Sequence, residues 1–230
     1  MLSASVATFT SIYERAWTRR SGSRTMRSVM THPTQTDPAT EPFCLPSSCE
    51  PALLERFLKA EAMALWTVRS SQLQEVPQNV QTFLRRHEAD EQRHLAQFEA
   101  ILGHQAHKRG QLPSVPKQWP ALAVQLFGYE ALGLEFALLL AEVRPDLSSI
   151  LEDELAHVGF FEREIGKILA GEPAAAEHAR MCARAWWRKL PRTLDRYLAH
   201  SALEPYRVEL TRRILSALEQ RLIGAGLVQP

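Results

Sequence analysis

Four long segments with the spacing of amphipathic helices are what most constrains the fold of this chain. From Pro51 onward, apolar residues recur at three- and four-residue steps among Ala, Leu, Glu, Gln and Arg, which favour helices. The pattern predicts helices over residues 51–70, 77–104, 120–143 and 147–169. No alternating strand pattern of useful length is present in the sequence. Because the connections are short, long and short, we expect an all-α four-helix bundle with one long crossover.

The first 50 residues differ from this pattern. They are rich in Ser, Thr, Pro and Arg and lack a sustained period, so residues 1–50 are predicted to be a disordered N-terminal extension. Three interpretations of this extension remain open. Its Arg and Ser content resembles a mitochondrial presequence, it can be an ordinary flexible tail, and the true start can be Met26 or Met30.

The C-terminal region, residues 171–230, predicts two further helices near 174–190 and 205–222. We expect them to form an extension packed on the bundle of residues 51–170. The extension carries Arg184, Trp186 and Arg188, which predict a docking surface for a substrate with phosphate groups. The alternative is a solvated basic face that lies on the acidic bundle, with the tryptophans as packing anchors.

The net charge of +1 conceals three regions of different sign. Residues 1–40 carry +3, residues 41–170 carry −6 and residues 171–230 carry +4. The neutral total excludes a protein that coats nucleic acid or membranes by charge alone. The three cysteines provide neither a disulfide framework nor a four-thiolate metal site. No run approaches the roughly 20 apolar residues of a membrane span, so we expect a cytoplasmic protein that does not bind membranes.

Two Glu-x-x-His motifs interrupt the apolar stripes of the second and fourth predicted helices. They are Glu91 with His94 and Glu154 with His157. Residues three apart lie on one helix face, so each pair points to one spot. Glu61 interrupts the stripe of the first helix in the same way. Since an ionised carboxylate on an apolar face is costly unless it is paired or bound to a metal, these positions predict a buried polar site.

The third helix offers two candidate carboxylates, Glu130 and Glu135. The turn between the third and fourth helices centres near Pro145, with Glu135 ten residues before it and Glu154 nine residues after it. Glu130 lies fifteen residues before the turn, which places it about 8–9 Å deeper at the rise of an α-helix. We therefore predict Glu135 as the ligand, and Glu130 as a supporting group or an alternative ligand.

The predicted ligand set supplies four carboxylates and two imidazoles from four helices. Its members are Glu61, Glu91, His94, Glu135, Glu154 and His157. This composition matches bundles that bind two iron or two manganese ions. Carboxylates suit hard cations, imidazole suits iron, and four negative charges balance two divalent ions. We predict two iron ions as the cofactor, with manganese or a mixed manganese–iron pair as alternatives.

Other polar residues near the motifs are expected to have no part in the site. His87, His104 and His107 lack carboxylates at a matching level, so they are predicted at the surface or in loops. Asp90, beside the first motif, is predicted to be solvated. A metal-free helical interaction protein remains the alternative to a metal site.

Residues 51–170 resemble the ferritin-like di-iron carboxylate proteins. The resemblance lies in Glu61, Asp90-Glu91-Gln-Arg-His94, Glu130 with Glu135, and Asp153-Glu154-Leu-Ala-His157. Within this superfamily, the segments DEQRHLAQFEAIL and YEALGLEFALLLAEV are most similar to tRNA-modifying hydroxylases that oxidise a prenylated adenosine, and more distantly to rubrerythrins. The resemblance implies bridging roles for Glu91 and Glu154, terminal roles for the other four ligands, and oxygen activation between two irons.

The function expected from the ligand set and the resemblance is that of an enzyme. We expect a non-haem di-iron oxidase or monooxygenase that uses O2 to hydroxylate or oxidise an organic substrate, either a small molecule or a modified tRNA base. An external reductase is expected because the sequence has no flavin or iron–sulfur motif. A monomer or small homo-oligomer is expected. The alternative functions are a ferroxidase or iron-handling protein and a rubrerythrin-like peroxide-reducing protein.

Overall fold

The computed structural model describes residues 45–108 and 110–229, and the structural statements below concern these residues. They contain no strand and six α-helices: α1 (Glu50–Ser71), α2 (Gln78–Leu102), α3 (Trp119–Val143), α4 (Ser148–Ala170), α5 (Pro173–Tyr197) and α6 (Arg207–Gly224). Three short 3-10 helices span Ser47–Cys49, Pro145–Leu147 and Glu204–Tyr206. The prediction of an all-α fold is therefore confirmed for the described part of the chain.

The predicted disordered extension falls mostly on residues 1–44, which lie outside the described residues, as do Met26 and Met30. Its last residues are described and are ordered. Leu45 and Cys49 are buried, and Cys49 Sγ lies 3.3 Å from the carbonyl oxygen of Ala202. Ordered structure therefore begins before residue 51, because burial of these two side chains holds the entry to α1 against the C-terminal part of the chain.

The first four helices pack as two hairpins that also contact each other. α1 lies along α2 and α3 lies along α4, while α1 also contacts α3 and α2 also contacts α4. Short connections produce each hairpin, and residues 103–118 join them. The connection begins at Gly103, whose φ of 72° ends α2 in the left-handed conformation that glycine adopts without strain.

Helix α3 is the most apolar helix of the described chain. By length and composition it is apolar enough to cross a membrane, with a mean hydropathy of 1.4, although the sequence analysis predicts no membrane span. In the structure 78% of that apolar window is buried, because α3 contacts α1, α4, α5 and α6. Its composition is thus accounted for by a central position among the other helices.

The two C-terminal helices pack against the hairpin of α3 and α4. α5 contacts both helices, and α6 contacts α3 and α5. α5 extends seven residues beyond its predicted end, through Pro191 to Tyr197. Leu190, Leu194 and Leu198 are buried at steps of four residues, so packing of this stripe outweighs the hydrogen bond that proline removes.

Candidate metal centre

Seven buried residues from α1, α2, α3 and α4 converge inside the two hairpins, and none exposes more than 4% of its surface. Their potential ligand atoms form two overlapping groups, and within each group all the atoms lie within 4.8 Å of one another. The two-histidine group contains His87, Glu91, Glu130 and His157. The three-carboxylate group contains Glu61, Glu91, His94 and Glu154. Because Glu91 belongs to both, the two groups form one continuous site.

The two-histidine group is built by α2, α3 and α4. Nε2 of His87 lies 2.8 Å from Oε1 of Glu91 and 3.3 Å from Oε2 of Glu130. Nδ1 of His157 lies 3.5 Å from the same Glu130 oxygen and 3.8 Å from the same Glu91 oxygen. Two imidazoles from different helices therefore face the same pair of carboxylate oxygens.

The three-carboxylate group is built by α1, α2 and α4. Nδ1 of His94 lies 3.5 Å from Oε2 of Glu61 and 3.9 Å from Oε1 of Glu154. Burial acts to lower the pKa of His94, but its contacts with Glu61 and Asp153 raise that pKa above the ordinary value for histidine. A single imidazole therefore faces carboxylates that come from two other helices.

The two Glu-x-x-His motifs hold each other's histidines through the Asp that precedes each Glu. Nε2 of His157 lies 3.3 Å from Asp90, and Nε2 of His94 lies 3.0 Å from Asp153. Arg93 joins the two aspartates, since its Nη2 donates to both at 2.8 Å. These contacts turn Nδ1 of both rings toward the carboxylates, which is how a carboxylate orients a histidine that binds a metal.

Several ligand atoms in the two groups have no hydrogen-bond partner. They are Oε2 of Glu61, Oε2 of Glu91, Nδ1 of His94 and Nδ1 of His157. Buried polar atoms of folded proteins are almost always paired, so four unpaired atoms in one cluster require an explanation. Cations bound in both groups would satisfy all of them, and carboxylate oxygen with imidazole nitrogen is the donor set that iron and manganese accept. The residues therefore fit a metal site.

The electrostatics of the cluster are those of acids crowded in a dry interior. Burial, and then the nearby carboxylates, raise the pKa values of Glu91 and Glu154 well above the ordinary range. Burial would do the same to Glu130, but the two imidazoles of its group hold its pKa well below the ordinary range. Without metal ions, some carboxyl groups of the cluster would therefore be protonated.

The structure does not bring Glu135, the predicted ligand on α3, into either group. Glu135 is buried but accepts hydrogen bonds from Nε and Nη2 of Arg221, at 3.1 and 3.0 Å, whereas Glu130 lies in the two-histidine group. A Cβ at Gly133 would lie 2.9 Å from Oε2 of Glu154, so the level of Glu154 is near residue 133. The predicted level of the α3 ligand along the helix was therefore correct to within one turn, but the predicted side of the helix was not. Glu130 lies three residues from Gly133, on the same face, and Glu135 lies two residues away, on the opposite side.

The prediction that His87 lies at the surface or in a loop is also wrong, because its side chain is fully buried in α2. A sequence signal existed, since His87 lies one turn before Glu91 on the same apolar stripe. Asp90, predicted to be solvated, instead contacts His157. Its signal was the repetition of Asp-Glu-x-x-His in both motifs. The other five predicted ligands all lie in the two groups.

The predicted docking residues lie on α5, outside both groups. Arg184 and Arg188 are exposed, and Arg184 pairs with Glu177 at 2.8 Å. Trp186 packs on α3, where a Cβ at Gly128 would lie 2.5 Å from its indole ring. Gly128 therefore permits the close approach of α5. This contact is the one expected of a packing anchor, while both arginines lie on the surface.

Comparison with known proteins gives no family assignment. No family model, no curated protein and no solved structure matches this chain. The ferritin-like resemblance therefore continues to rest on the motifs themselves. What the site does has to be argued from the chemistry and the geometry of its own residues.

Proposed function

We propose that this chain is a ferritin-like non-haem oxidoreductase that holds two metal ions, preferentially iron, and uses O2 to oxidise an organic substrate. The observation that carries the proposal is the pair of buried ligand groups that share Glu91. A single structural ion would need one such group. Two groups with one shared carboxylate are the arrangement that a two-metal centre requires.

The helix arrangement supports the ferritin-like part of the proposal. The two hairpins are joined by the single long connection of residues 103–118, which is the topology of ferritin-like bundles. Each hairpin contributes one Asp-Glu-x-x-His motif, from α2 and from α4, and one further Glu, from α1 and from α3. This division of ligands between the hairpins is the one found in carboxylate-bridged bundle proteins.

The charge of the cluster supports two divalent ions. The carboxylates of Glu61, Glu91, Glu130 and Glu154 together carry four negative charges when ionised, which two divalent cations neutralise. Metal binding has to displace the protons that the raised pKa values of Glu91 and Glu154 imply, so binding releases protons. The metal pair itself is a proposal, with manganese or a mixed pair as the alternative to two irons.

The residues around the ligands would perform two tasks in such an enzyme, beside the chemistry of the metal. Bound iron supplies the electrons and the open coordination positions with which O2 is reduced. Asp90 and Asp153 fix the rings of the two motif histidines, so that Nδ1 of each faces inward. Phe83 contacts the ring of His157 and Phe161 contacts the ring of His87, so the two phenylalanines would keep the α2 and α4 side of the site apolar.

Substrate and partners follow from the same proposal. The substrate is a small organic molecule or a modified tRNA base, with the exposed arginines of α5 as the docking surface in the second case. A separate reductase would deliver electrons, and the protein would act in the cytoplasm as a monomer or small homo-oligomer. A ferroxidase or a peroxide-reducing protein would use the same ligands with a different product.

The proposal is tested by metal counting and O2 consumption after anaerobic iron loading. We expect two irons per chain and oxidation of a supplied organic substrate, with both lost in Glu91→Ala and His157→Ala. Glu152→Ala is the matched control, because Glu152 is exposed on α4 two residues from Glu154. Fewer than about 0.2 irons per chain would contradict the metal site. Iron oxidation alone, in a 12- or 24-subunit particle, would favour the iron-handling alternative.

A further inference from the structure

The two ligand groups of the candidate metal centre have different compositions. One contains two imidazoles and two carboxylates, and the other contains one imidazole and three carboxylates. We propose that His87 is a metal ligand, and that with His157 it makes one of the two metal positions a two-imidazole site. This inference rests on the proposed two-metal centre and adds a third histidine to it.

The distances around His87 lie within about 0.4 Å of those expected between ligands of one ion. Donor atoms that share an ion at bonds of about 2.1 Å lie roughly 3.0 to 3.4 Å apart in octahedral or tetrahedral geometry. Nε2 of His87 lies 2.8 and 3.3 Å from oxygens of Glu91 and Glu130. Nδ1 of His157 lies 3.8 and 3.5 Å from the same two oxygens. One ion among these four atoms needs only small shifts of the side chains.

The two histidine rings also lie close together at this point. The ring centroids of His87 and His157 lie 3.9 Å apart, with 40° between the planes. Both side chains are buried, so bulk solvent does not reach either ring. A hydrogen bond from His87 to Glu91 is the competing explanation of the shortest distance, and the experiment below separates the two.

His87 differs from the two motif histidines in how its ring is held. An aspartate fixes the outer nitrogen of His94 and of His157, but Nδ1 of His87 has no hydrogen-bond partner. Its ring is placed by ring contacts, with centroids 5.5 Å from Phe83 and 6.1 Å from Phe161. Since no carboxylate raises its basicity, the ion in the two-histidine group should be the more easily lost of the two.

The unequal ligand sets should select different ions. If Glu91 is shared, the three-carboxylate group has two carboxylates of its own, Glu61 and Glu154, and the two-histidine group has only Glu130. The three-carboxylate group therefore carries one more negative charge. Carboxylate-rich sites suit manganese, whereas imidazole suits iron, cobalt and zinc. In a mixed loading, the ion with the stronger preference for nitrogen should therefore occupy the two-histidine group.

The first experiment titrates the metal-free protein with Co2+, followed by calorimetry and by the visible absorption of the ion. We expect two ions per chain in wild type. His87→Gln keeps a side-chain N–H for a hydrogen bond but removes the imidazole, so we expect one ion bound as in wild type and the other weakened about 10- to 100-fold. Added imidazole should restore the second ion in His87→Gly. His107→Gln, at an exposed histidine, should match wild type.

Two outcomes overturn the inference differently. If wild type and His87→Gln both bind two ions with equal affinities, His87 is no ligand and the two-metal centre stands. If wild type binds no ion, the proposed function fails together with this inference.

A second measurement needs no variant: anomalous diffraction from wild-type crystals soaked in Co2+ and Mn2+ together. We expect cobalt within about 2.1 Å of Nε2 of His87. A Co:Mn ratio equal at both positions, or no ion bonded to His87, contradicts the inference.

Discussion

Helix α3 carries two buried glutamates, Glu130 and Glu135, in very different surroundings. They are exposed by 4% and 6% respectively, so burial does not distinguish them. Glu130 faces the imidazoles of the two-histidine group, while Glu135 faces the guanidinium of Arg221 on α6. The first lies in a cluster with unpaired ligand atoms, and the second lies in a closed ion pair. A buried carboxylate is therefore informative only together with what it faces.

The largest expected effect is at Glu130. In Glu130→Ala the two-histidine group loses a carboxylate, and its two imidazoles face one carboxylate oxygen in place of two. We expect one of the two ions to be lost, with at least about 100-fold weaker binding at that position. Titration with Co2+ measures it. Two ions bound as in wild type would show that Glu130 is not a ligand.

The matched change, Glu135→Ala, should leave two ions bound but reduce stability. It removes the partner of Arg221, whose side chain is only 22% exposed. Leaving a partly buried guanidinium unpaired should lower the free energy of unfolding by about 1–3 kcal/mol. Urea unfolding of the metal-free proteins checks this. Loss of a metal ion in this variant would restore Glu135 as the ligand that the sequence first indicated.

A smaller effect is expected from Asp153→Asn. Asp153 contacts His94 and Arg93, so the amide weakens the orientation of the ring without removing a ligand. We expect about 10- to 100-fold weaker binding of the ion in the three-carboxylate group. Calorimetric titration measures the change, and Glu152→Gln on the exposed side of α4 is the control. Unchanged affinities in both variants would rule out a positioning role for Asp153.

The substitution Gly133→Ala tests the level at which α3 meets Glu154. The added Cβ would lie 2.9 Å from Oε2 of Glu154, which must move because it ends a flexible side chain. We expect about tenfold weaker metal binding in the three-carboxylate group, because the displaced carboxylate of Glu154 is no longer oriented as a ligand. Helix stability should rise by up to about 1 kcal/mol. Gly166→Ala on α4 meets no atom within 4 Å, so it should stabilise without changing metal affinity.

The smallest effect concerns the pH dependence of stability without metal. Burial and neighbouring carboxylates raise the pKa values of Glu91 and Glu154, so the folded state keeps protons that the unfolded chain releases above about pH 4.3. The metal-free protein should therefore lose stability as pH rises through this window. The lowered pKa of Glu130 acts in the opposite sense only below about pH 4.3.

Thermal midpoints measured between about pH 5 and 8 isolate the contribution of Glu91 and Glu154 to stability. The decline with rising pH should be shallower in Glu154→Gln, which cannot ionise, and absent in wild type saturated with divalent ions. Identical slopes in the metal-free wild type and Glu154→Gln would mean that Glu154 is already ionised in the folded protein.

Much of the fold was accessible from the sequence because helical periodicity and connection lengths are local properties. The four long helices and the two C-terminal ones lie close to their predicted positions. The end of α5 was missed because Pro191 is a local signal for a break, while the buried leucines that carry the helix past it depend on tertiary contacts. Ordered packing before residue 51 was missed for the same reason.

Within the site, distances along a helix were predicted better than directions around it. The motif residues Glu91, His94, Glu154 and His157 all lie in the two groups, because the apolar stripe defines the inward direction in α2 and α4. α3 is apolar on nearly all sides, so its pattern gives no inward direction. Choosing between its two glutamates required knowledge of α6, which supplies Arg221, and of Gly133.

The most direct test of the central claim is a crystal structure of the protein loaded anaerobically with Fe2+. We expect two ions whose ligands include Glu130 and a shared Glu91, with Glu135 still paired with Arg221. One ion in either group alone, no ion in either group, or iron bound to Glu135, would contradict the account.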